Sequence, residues 1–294
     1  MSPVRRSALK RRLDALVATA DYGAYRAADP VSFVHAYADP ADQEIVGLVA
    51  ALLAFGQVVS VRRSVARVLD ALGPAPSRAA QERPLDALDS ALAGFVHRVY
   101  RGGDVARMVH AAGALQRTHG SLGARFAMDL GDADGDLREG LARFADALRG
   151  ERPARGLRHL VPDPRAGSAC KRLLLYLRWV VRPADGVDLG LWAVPPSALL
   201  VPVDTHVHRI ARNLELTARN DASWRTAEEI TASLRALDPH DPVRYDFALC
   251  HLGVSRRCPS RRDADKCDAC ALRPVCGVWR VAPSRRAREF STGC

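Results

Sequence analysis

Four of the seven cysteines lie within nineteen residues near the C-terminal end, in the segment CPSRRDADKCDACALRPVC. They are Cys258, Cys267, Cys270 and Cys276, and eight, two and five residues separate neighbouring thiols. The segment is polar and rich in arginine, which argues against four unconnected buried thiols. A disulfide framework is improbable in a large chain that begins without a secretory signal. The pattern therefore predicts a metal site.

The spacing of these thiols bears on which metal they would bind. Four thiolates suit either a tetrahedral zinc ion or an iron–sulfur cluster. Zinc ribbons usually use two C-x₂-C pairs, whereas this loop has one such pair, flanked by single cysteines at unequal distances. The asymmetric arrangement favours a 4Fe-4S cluster, with zinc as the alternative cofactor.

Lysine is scarce in this chain, which makes each lysine informative. Of the 43 basic residues only Lys10, Lys171 and Lys266 are lysines. Arginine binds phosphate or carboxylate at least as well, but it cannot deprotonate in a protein and so cannot become an amine nucleophile. Lys171 stands at the start of an apolar helical segment. It is the candidate nucleophile, and the alternative is a surface lysine on an amphipathic helix.

Net charge and hydropathy narrow the class of protein. The formal net charge is +10, which predicts an anionic partner, with nucleic acid as the first candidate. The most apolar run, residues 45–61, contains Gln57 and ends before two arginines. We therefore expect this run to be a buried core helix rather than a membrane span. The expected localisation is cytoplasmic, with no membrane partner.

The elements that would position these residues are helices. Apolar residues recur at three- and four-residue spacing through most of the chain, and no convincing strand pattern or internal repeat is present. Asp42 and the pair Asp241-Pro242 are residue types that start helices. The predicted fold class is therefore all-α. The predicted helices span residues 5–20, 42–55, 58–72, 102–117, 133–149, 168–182, 205–213, 224–237 and 242–253.

Three segments of the chain resemble the helix-hairpin-helix DNA glycosylases, in particular their endonuclease III branch. The last three cysteines have the spacing of that family's iron–sulfur cluster loop, although the first gap is longer here. The segment VPVDTHVHRIAR (201–212) is similar to the family's V-D-T-H-x-x-R motif. The segment ALLAFGQVVSVRRSV (51–65) resembles its early helix and the tip that probes DNA.

The resemblance implies roles for individual residues. The aspartate of the V-D-T-H motif is catalytic, which would be Asp204 here, and Asp204 is also a good cap for the helix that follows. Lys171 would stand in the place of the family's nucleophilic lysine. Its distance of 33 residues from Asp204 is similar to that in the archaeal 8-oxoguanine glycosylase branch. The phosphate-binding hairpin would be irregular, with the single glycine Gly167, and Gln57 would lie near the extruded nucleotide.

The resemblance also implies the architecture. It would be a two-lobed helix-hairpin-helix glycosylase fold with a C-terminal 4Fe-4S cluster loop. Residues 40–183 would form a central helical barrel that carries the irregular hairpin. Residues 1–39 together with 184–294 would form a second helical lobe, which carries the Asp204 segment and the cluster loop.

The implied function is base-excision repair of DNA. The enzyme would be a DNA glycosylase, with AP-lyase activity through a Lys171 Schiff base, that removes an oxidised base, 8-oxoguanine being favoured. A nucleoid-associated monomer would bind double-stranded DNA with a damaged, flipped-out base. The alternative is a non-catalytic iron–sulfur protein that binds nucleic acid. The candidate phosphate contacts are Arg62, Arg63, Arg209 and Arg212, and the candidate base-pocket residues are Phe55, Gln57, Trp179 and Trp192.

Overall fold

A computed structural model describes residues 1–280 of the chain. Within this range the protein is all-α, as the periodicity predicts. The strands in this range are one short hairpin, in which Val96–His97 (β1) pairs antiparallel with Tyr100–Arg101 (β2). Two residues per strand are too few to produce an alternating pattern, so the hairpin leaves no signal in the sequence.

The α-helices are numbered in chain order. They are α1 (Pro3–Ala18), α2 (Tyr22–Ala28), α3 (Pro40–Leu52), α4 (Val58–Leu72), α5 (Pro76–Glu82), α6 (Leu85–Ala91), α7 (Gly102–His119), α8 (Leu122–Gly131), α9 (Leu137–Arg149), α10 (Arg155–Leu160), α11 (Lys171–Val181), α12 (Thr205–Asn213), α13 (Trp224–Arg235), α14 (Asp246–Arg256), α15 (Ala264–Cys267) and α16 (Gly277–Arg280). Short 3₁₀ helices lie at Pro30–Ala36, Pro164–Ala166, Pro196–Ala198 and Arg273–Val275.

The start of α3 differs from the prediction. Asp39 caps the helix by accepting a hydrogen bond from the amide of Ala41 at 2.9 Å. Asp42, the predicted cap, lies buried inside the helix and accepts from the amide of Ser77 at 2.7 Å. The prediction was wrong because the carboxylate of Asp42 joins α3 to the start of α5 instead of serving its own helix.

The start of α14 also differs. The pair Asp241-Pro242 was predicted to begin this helix, but the helix begins at Asp246. The carboxylate of Asp241 instead accepts three contacts from the guanidinium of Arg182, at 2.9 to 3.2 Å. The carboxylate oxygens of Asp241, which local sequence predicts to accept hydrogen bonds from helix amides, therefore bind an arginine that is distant in sequence.

Helix α3 lies at the centre of the core. Every residue of 44–52 is buried, and the helix packs against α5, α7, α11 and the 3₁₀ helix Pro30–Ala36. Glu44 satisfies its buried carboxylate with four donors at 2.8 to 2.9 Å, and so ties α3 to α7, to α8 and to the segment after α11. The donors are the side chains of Gln116 and Trp192 and the amides of Leu122 and Gly123.

Two arginines at the C-terminal end of α11 are buried in ion pairs. Arg178 donates to Asp188 at 3.0 Å and to Asp246 at 3.1 Å. Arg182, which ends the helix, pairs with Asp188 and with Asp241. These contacts fix α11 against the loop that follows it and against the start of α14, and they leave the N-terminal end of α11 to the site described below.

Helix α1 packs on the C-terminal half of the chain. Arg5 donates to the carbonyl of Leu214 at 2.9 Å, and the hydroxyl of Tyr245 donates to Asp14 at 2.9 Å. The predicted division into residues 40–183 and residues 1–39 with 184–294 stays a prediction, and its last part, residues 281–294, lies outside the described residues.

The apolar run 45–61 was predicted to be a single core helix, but it is divided between two helices: residues 45–52 lie in α3, residues 53–57 connect the helices, and residues 58–61 begin α4. Among residues 1–280, no helix combines the length and the hydropathy that crossing a membrane requires.

Candidate active site

The fold brings Lys171 and Asp204 together. Lys171 is the first residue of α11 and Asp204 directly precedes α12, so both side chains leave the start of a helix. The Nζ atom of Lys171 lies 3.6 Å from Oδ2 of Asp204. The two side chains are 35% and 17% exposed, so the pair is partly shielded and still reachable from solvent. Two residues that are distant in the sequence therefore form one candidate site.

Asp204 is held in place by the helix that it caps. Its Oδ1 atom accepts hydrogen bonds from the amides of His206 and Val207, both at 2.8 Å, which confirms the predicted cap. The helix amides also favour a negative charge at this position. Its Oδ2 atom contacts Lys171 and the thiol of Cys250, whose Sγ lies 3.7 Å away. One oxygen of the carboxylate thus serves the fold, and the other faces the amine.

The pair lies at the edge of an open cleft of about 700 Å³. Lys171 lines the cleft directly, and so does Val203, the residue before Asp204. Most of the other lining residues come from the stretch 146–172, which contains α10 and the turn before α11. Clefts that hold small ligands commonly have volumes of about 300–1,000 Å³, so this one can take a single nucleotide.

One wall of the cleft combines aromatic rings with arginine. The ring centroids of Phe55 and His159 lie 5.6 Å apart, and the guanidinium of Arg98 lies 4.9 Å from the centroid of Phe55. The guanidinium of Arg172 lies close to Phe55 and to Tyr100, whose hydroxyl contacts Nδ1 of His159 at 2.9 Å. Burial lowers the pKa of His159, and the charge of Arg172 lowers it further. The wall therefore offers neutral flat rings beside fixed positive charge.

Two more carboxylates lie near the pair. Asp246 is 3% exposed. Burial raises its pKa to about 6, the charge of Arg178 opposes that rise, and the charge of Asp204 adds to it. Burial also raises the pKa of Asp29, against the opposing positive charges of Arg178 and Lys171. Lys171 is thus one of two cations beside these carboxylates, and it is the one that lines the cleft.

The four predicted metal ligands line one small apolar cavity of about 30 Å³ in the cysteine loop, residues 258–276. Burial raises the pKa of Cys258 to about 11, against a hydrogen bond that Asn213 donates to its sulfur at 3.4 Å. Burial raises the pKa of Cys276 as well, while the amides of Val278 and Trp279 donate to it and favour the thiolate. Donors of this kind are common around metal-bound sulfur.

The four thiols of this loop are the type of donor that a metal or cluster requires, and they line one cavity. In residues 1–280 no group of three or more His, Cys, Asp or Glu side chains is arranged to hold a metal ion. The four thiols are free and partly exposed. The 4Fe-4S cluster and its zinc alternative therefore stay predictions.

The two arginines predicted to contact phosphate after the early helix differ in their surroundings. Arg62 donates to the carbonyl of Asp29 at 2.9 Å and to the hydroxyl of Ser32 at 2.7 Å, so its guanidinium is held by the protein. Arg63 is exposed. Gln57 is also exposed and occupies the cap position of α4 without a capping hydrogen bond from its side chain. Arg63 and Gln57 are the better placed of the three to meet a ligand.

The other two predicted arginines line a second open cleft, of about 770 Å³, between α12 and the cysteine loop. Arg209 donates to the carbonyl of Cys258 at 3.1 Å, while Arg212 is exposed. Gly167, predicted to belong to a phosphate-binding hairpin, ends the 3₁₀ helix Pro164–Ala166 with a left-handed φ of 86°. Its carbonyl accepts from the amide of Trp224, and a role in phosphate binding stays a prediction.

Two residues that were predicted to line the base pocket lie in the core instead. Trp179 and Trp192 are 1% and 5% exposed and belong to the core, where Trp192 donates to Glu44. Phe55 does line the cleft. The cleft residues that the sequence reasoning missed are His159 and Arg172, and Cys250 beside Asp204 was missed as well, since contacts between distant segments leave no local pattern.

Comparison with known families identifies the chain. Residues 29–255 match the model of a family described as "Protein of unknown function (DUF2400)", and the chain belongs to that family. The expected membership of the helix-hairpin-helix DNA glycosylases is therefore wrong, because the match is to an uncharacterised family. No curated protein matches the chain, and no solved structure matches it. The short motifs that suggested the glycosylases cover too little of the chain to define its family.

Proposed function

We propose that this protein is a DNA glycosylase with AP-lyase activity that acts in base-excision repair. The observation that carries the proposal is the Lys171–Asp204 pair, with Nζ 3.6 Å from Oδ2, at the edge of a cleft large enough for a nucleotide. An amine beside a carboxylate is the minimum that this chemistry requires. The proposal rests on that geometry and on charge, and not on family membership.

The reaction can be written with these two groups. The Lys171 amine attacks C1′ of the deoxyribose, and the bond from C1′ to the base breaks, so that its electron pair leaves with the base, which takes up a proton. Opening of the C1′–O4′ bond gives a Schiff base and a hydroxyl at C4′. Loss of a C2′ proton then expels the 3′ phosphate, and water releases the lysine. Asp204 is placed to take the proton of the amine and to stabilise positive charge developing at C1′.

The other two lysines in the chain provide a contrast. Lys10 pairs with Asp14 at 2.8 Å within α1, and Lys266 pairs with Asp263 at 2.9 Å within the cysteine loop. Both are local pairs of neighbouring residues, of the kind that adds little to stability. Lys171 is paired across 33 residues, from one helix start to another, at a cleft. A long-range pair of this kind supports a role in chemistry.

The cleft supports a nucleotide as the group that it binds. Phe55 and His159 present ring faces on which a base can stack. Arg158 also lines it, is exposed and can face phosphate, whereas the guanidinium groups of Arg149 and Arg172 are bonded to the protein. An extruded nucleotide needs both surfaces, since its base leaves the duplex while its phosphates stay on the backbone.

The surface outside the cleft supports duplex DNA as the partner. The net charge of +10 favours a polyanion as the partner. Arg63, which precedes Lys171 in the chain, and Arg212, which follows Asp204, are both exposed. Exposed apolar side chains follow Phe55 closely in the chain, namely Val58 and Val59 at the start of α4, and a further one, Val99, follows Arg98, whose guanidinium contacts Phe55. Apolar side chains at such a position can press between bases of a bent duplex. We place the protein in the nucleoid, as a monomer on DNA.

The two-part architecture is included in the proposal. Lys171 and Phe55 belong to the proposed part 40–183, whereas Val203 and Asp204 belong to the second part. A site with one essential group from each part is typical of ligand clefts between domains.

The cofactor is included as well. We propose that Cys258, Cys267, Cys270 and Cys276 hold a 4Fe-4S cluster, with zinc as the alternative. Either would fix the basic loop beside α12 and take no part in the chemistry at Lys171. Analysis of the purified protein for iron, acid-labile sulfide and zinc distinguishes the two, and brown colour is expected for the cluster.

Borohydride trapping tests the function. Labelled duplexes that carry 8-oxoguanine, thymine glycol or an abasic site are incubated with wild type, Lys171→Gln and Asp204→Asn, and with Lys10→Gln as the matched control. We expect a covalent adduct with wild type and Lys10→Gln and none with Lys171→Gln. The preference for 8-oxoguanine came from the resemblance alone, so the duplex that traps best identifies the lesion.

Two other outcomes would change the conclusion. Base release without an adduct would mean that Asp204 acts with water and that Lys171 is not the nucleophile. DNA binding without adduct or base release, from every duplex, would overturn the enzyme and leave a non-catalytic nucleic-acid-binding protein.

A further inference from the structure

The carboxylate of Asp204 has a donor that the proposed reaction does not use, the thiol of Cys250. Its Sγ lies 3.7 Å from Oδ2 of Asp204, and Nζ of Lys171 lies 3.6 Å from the same oxygen. The thiol comes from α14 and the amine from α11, while Asp204 belongs to the start of α12. Three helices therefore meet at a single oxygen atom.

The packing of α14 on α12 fixes the position of the thiol. A β-carbon on Gly253 would lie 2.8 Å from Cβ of His206, closer than such atoms approach in proteins. A glycine is therefore needed where the two helices cross, less than one turn after Cys250. Because the helices touch at this crossing, the backbones that carry Cys250 and Asp204 are held at a fixed separation.

The surroundings of the thiol keep it protonated. Burial raises the pKa of Cys250 well above its usual range, and the negative charges of Asp204, Asp246 and Asp29 raise it further, while Lys171 opposes them. A protonated thiol can donate a hydrogen bond, whereas a thiolate beside Asp204 would repel it.

We propose that Cys250 is a positioning residue that donates its S–H to Oδ2 of Asp204 and holds this oxygen toward Lys171. The amides of His206 and Val207 already fix Oδ1, so the thiol sets the remaining freedom, the rotation of the carboxylate about its bond to Cβ. This inference rests on the proposed function for its consequence, but the hydrogen bond itself can be tested without activity.

Infrared spectroscopy tests the hydrogen bond. The S–H stretching band of Cys250 is obtained as the difference between wild type and Cys250→Ala, and the measurement is repeated in an Asp204→Asn background. We expect the band to shift toward the free-thiol frequency in Asp204→Asn, because an amide accepts more weakly than a carboxylate. The band of Cys170, whose Sγ lies 3.4 Å from the hydroxyl of Ser168, serves as the internal control. A Cys250 band that does not respond to Asp204→Asn would overturn the proposal.

Trapping kinetics test the consequence. Relative to wild type, Cys250→Ala is expected to slow trapping by about three- to tenfold, since one hydrogen bond to the carboxylate is lost. Cys250→Ser keeps a donor and restores the rate, and Val254→Ala, a change at a residue that is 52% exposed on the same helix, leaves the rate unchanged.

The outcomes distinguish failure of the positioning role of Cys250 from failure of the proposed function. A rate for Cys250→Ala equal to that of wild type, or Cys250→Ser as slow as Cys250→Ala, would overturn the positioning role. If wild type itself gives no adduct, the proposed function fails, and the infrared band alone then decides whether the thiol holds Asp204.

Discussion

The two ends of α11 hold opposite charges in different ways. At the C-terminal end, Arg178 lies 3.0 and 3.1 Å from Asp188 and Asp246, and none of these side chains is more than 4% exposed. At the N-terminal end, Lys171 lies 3.6 Å from Asp204, and the two side chains are 35% and 17% exposed. One end carries a closed ion network that anchors the helix, and the other carries an open pair at a cleft.

The type of cation at each end of α11 matches this difference in burial. Arginine keeps its proton and can bond two carboxylates at once, which suits a buried network. Lysine can lose its proton, and its single nitrogen can reach a ligand. Arginine is the default cation in this chain, in which only three of 43 basic residues are lysine. A lysine at the open end of α11 therefore indicates a requirement that arginine does not meet.

Exchanging the cation at the open end gives the largest expected effect. Lys171→Arg retains positive charge beside Asp204, so the free energy of unfolding is expected to change by less than about 1 kcal/mol. Borohydride trapping is expected to fall to background, because a guanidinium cannot form a Schiff base. Trapping and urea unfolding are measured on the same preparation, with Lys10→Arg as the control that should behave as wild type in both. An adduct that survives in Lys171→Arg would show that the nucleophile is another group.

Removing the cation at the closed end is expected to act on stability. Arg178→Met leaves Asp246 buried without its cation and leaves Asp188 with Arg182 alone, which should lower the free energy of unfolding by about 3–5 kcal/mol. Lys171→Met is expected to cost less than about 1 kcal/mol, since that pair is partly exposed. Denaturant unfolding of both variants, with Arg63→Met as a surface control, checks the contrast. Equal losses for Arg178→Met and Lys171→Met would remove the distinction between the two ends.

Local patterns in the sequence predicted the parts of the molecule that local physics determines. The helices 58–72 and 205–213 have the predicted ends, because strong amphipathic spacing and, for the second, the Asp204 cap determine them. Lysine scarcity, the place of Lys171 at the start of an apolar helix and the resemblance together singled out Lys171, and the structure places it 3.6 Å from Asp204. These features depend on neighbouring residues or on residue type.

The parts that were missed depend on distant contacts. The short helices α5 and α10 have seven and six residues, too few to be stable or recognisable without tertiary packing. From the sequence, Asp241 is expected to cap a helix, but in the structure its carboxylate binds Arg182. Cys250 looks like an ordinary buried thiol in the sequence, and only the structure shows its contact with Asp204. The short motifs around Asp204 and the cysteines suggested a family that the match over residues 29–255 does not support.

Burial near the C-terminal end of α11 should also affect how stability depends on pH. Burial lowers the pKa of His251 to about 4, and the charge of Arg178 adds to this. Between the ordinary histidine pKa of 6.5 and this value, the unfolded chain binds the proton more readily than the fold, so stability falls as pH falls through this window. His251→Phe keeps the stack on Tyr25, whose ring centroid lies 4.2 Å away, and removes the titration.

Urea midpoints at several pH values between 7 and 4 measure that effect. Allowing for the partial exposure of the ring, the free energy of unfolding of His251→Phe is expected to fall by about 1 kcal/mol less than that of wild type as pH falls across the window. Asp246 contributes with the opposite sign, since its raised pKa makes stability fall as pH rises toward 6. The comparison of variant with wild type cancels that contribution. Parallel curves for the two proteins would mean that His251 is solvated and titrates as in the unfolded chain.

The smallest expected effect separates arginines that serve the fold from arginines that serve a ligand. The side chain of Arg212 is exposed and has no hydrogen-bond or ion-pair partner within residues 1–280, whereas the guanidinium of Arg62 is bonded to Asp29 and Ser32. Each arginine that neutralises a DNA phosphate contributes about 0.9 to the slope of log K against log salt. Arg212→Gln should therefore reduce that slope by about 0.9. Arg62→Gln should leave the slope unchanged and lower stability instead. Fluorescence anisotropy with an undamaged duplex at several salt concentrations measures both slopes, and a loss of slope in Arg62→Gln alone would reverse the assignment.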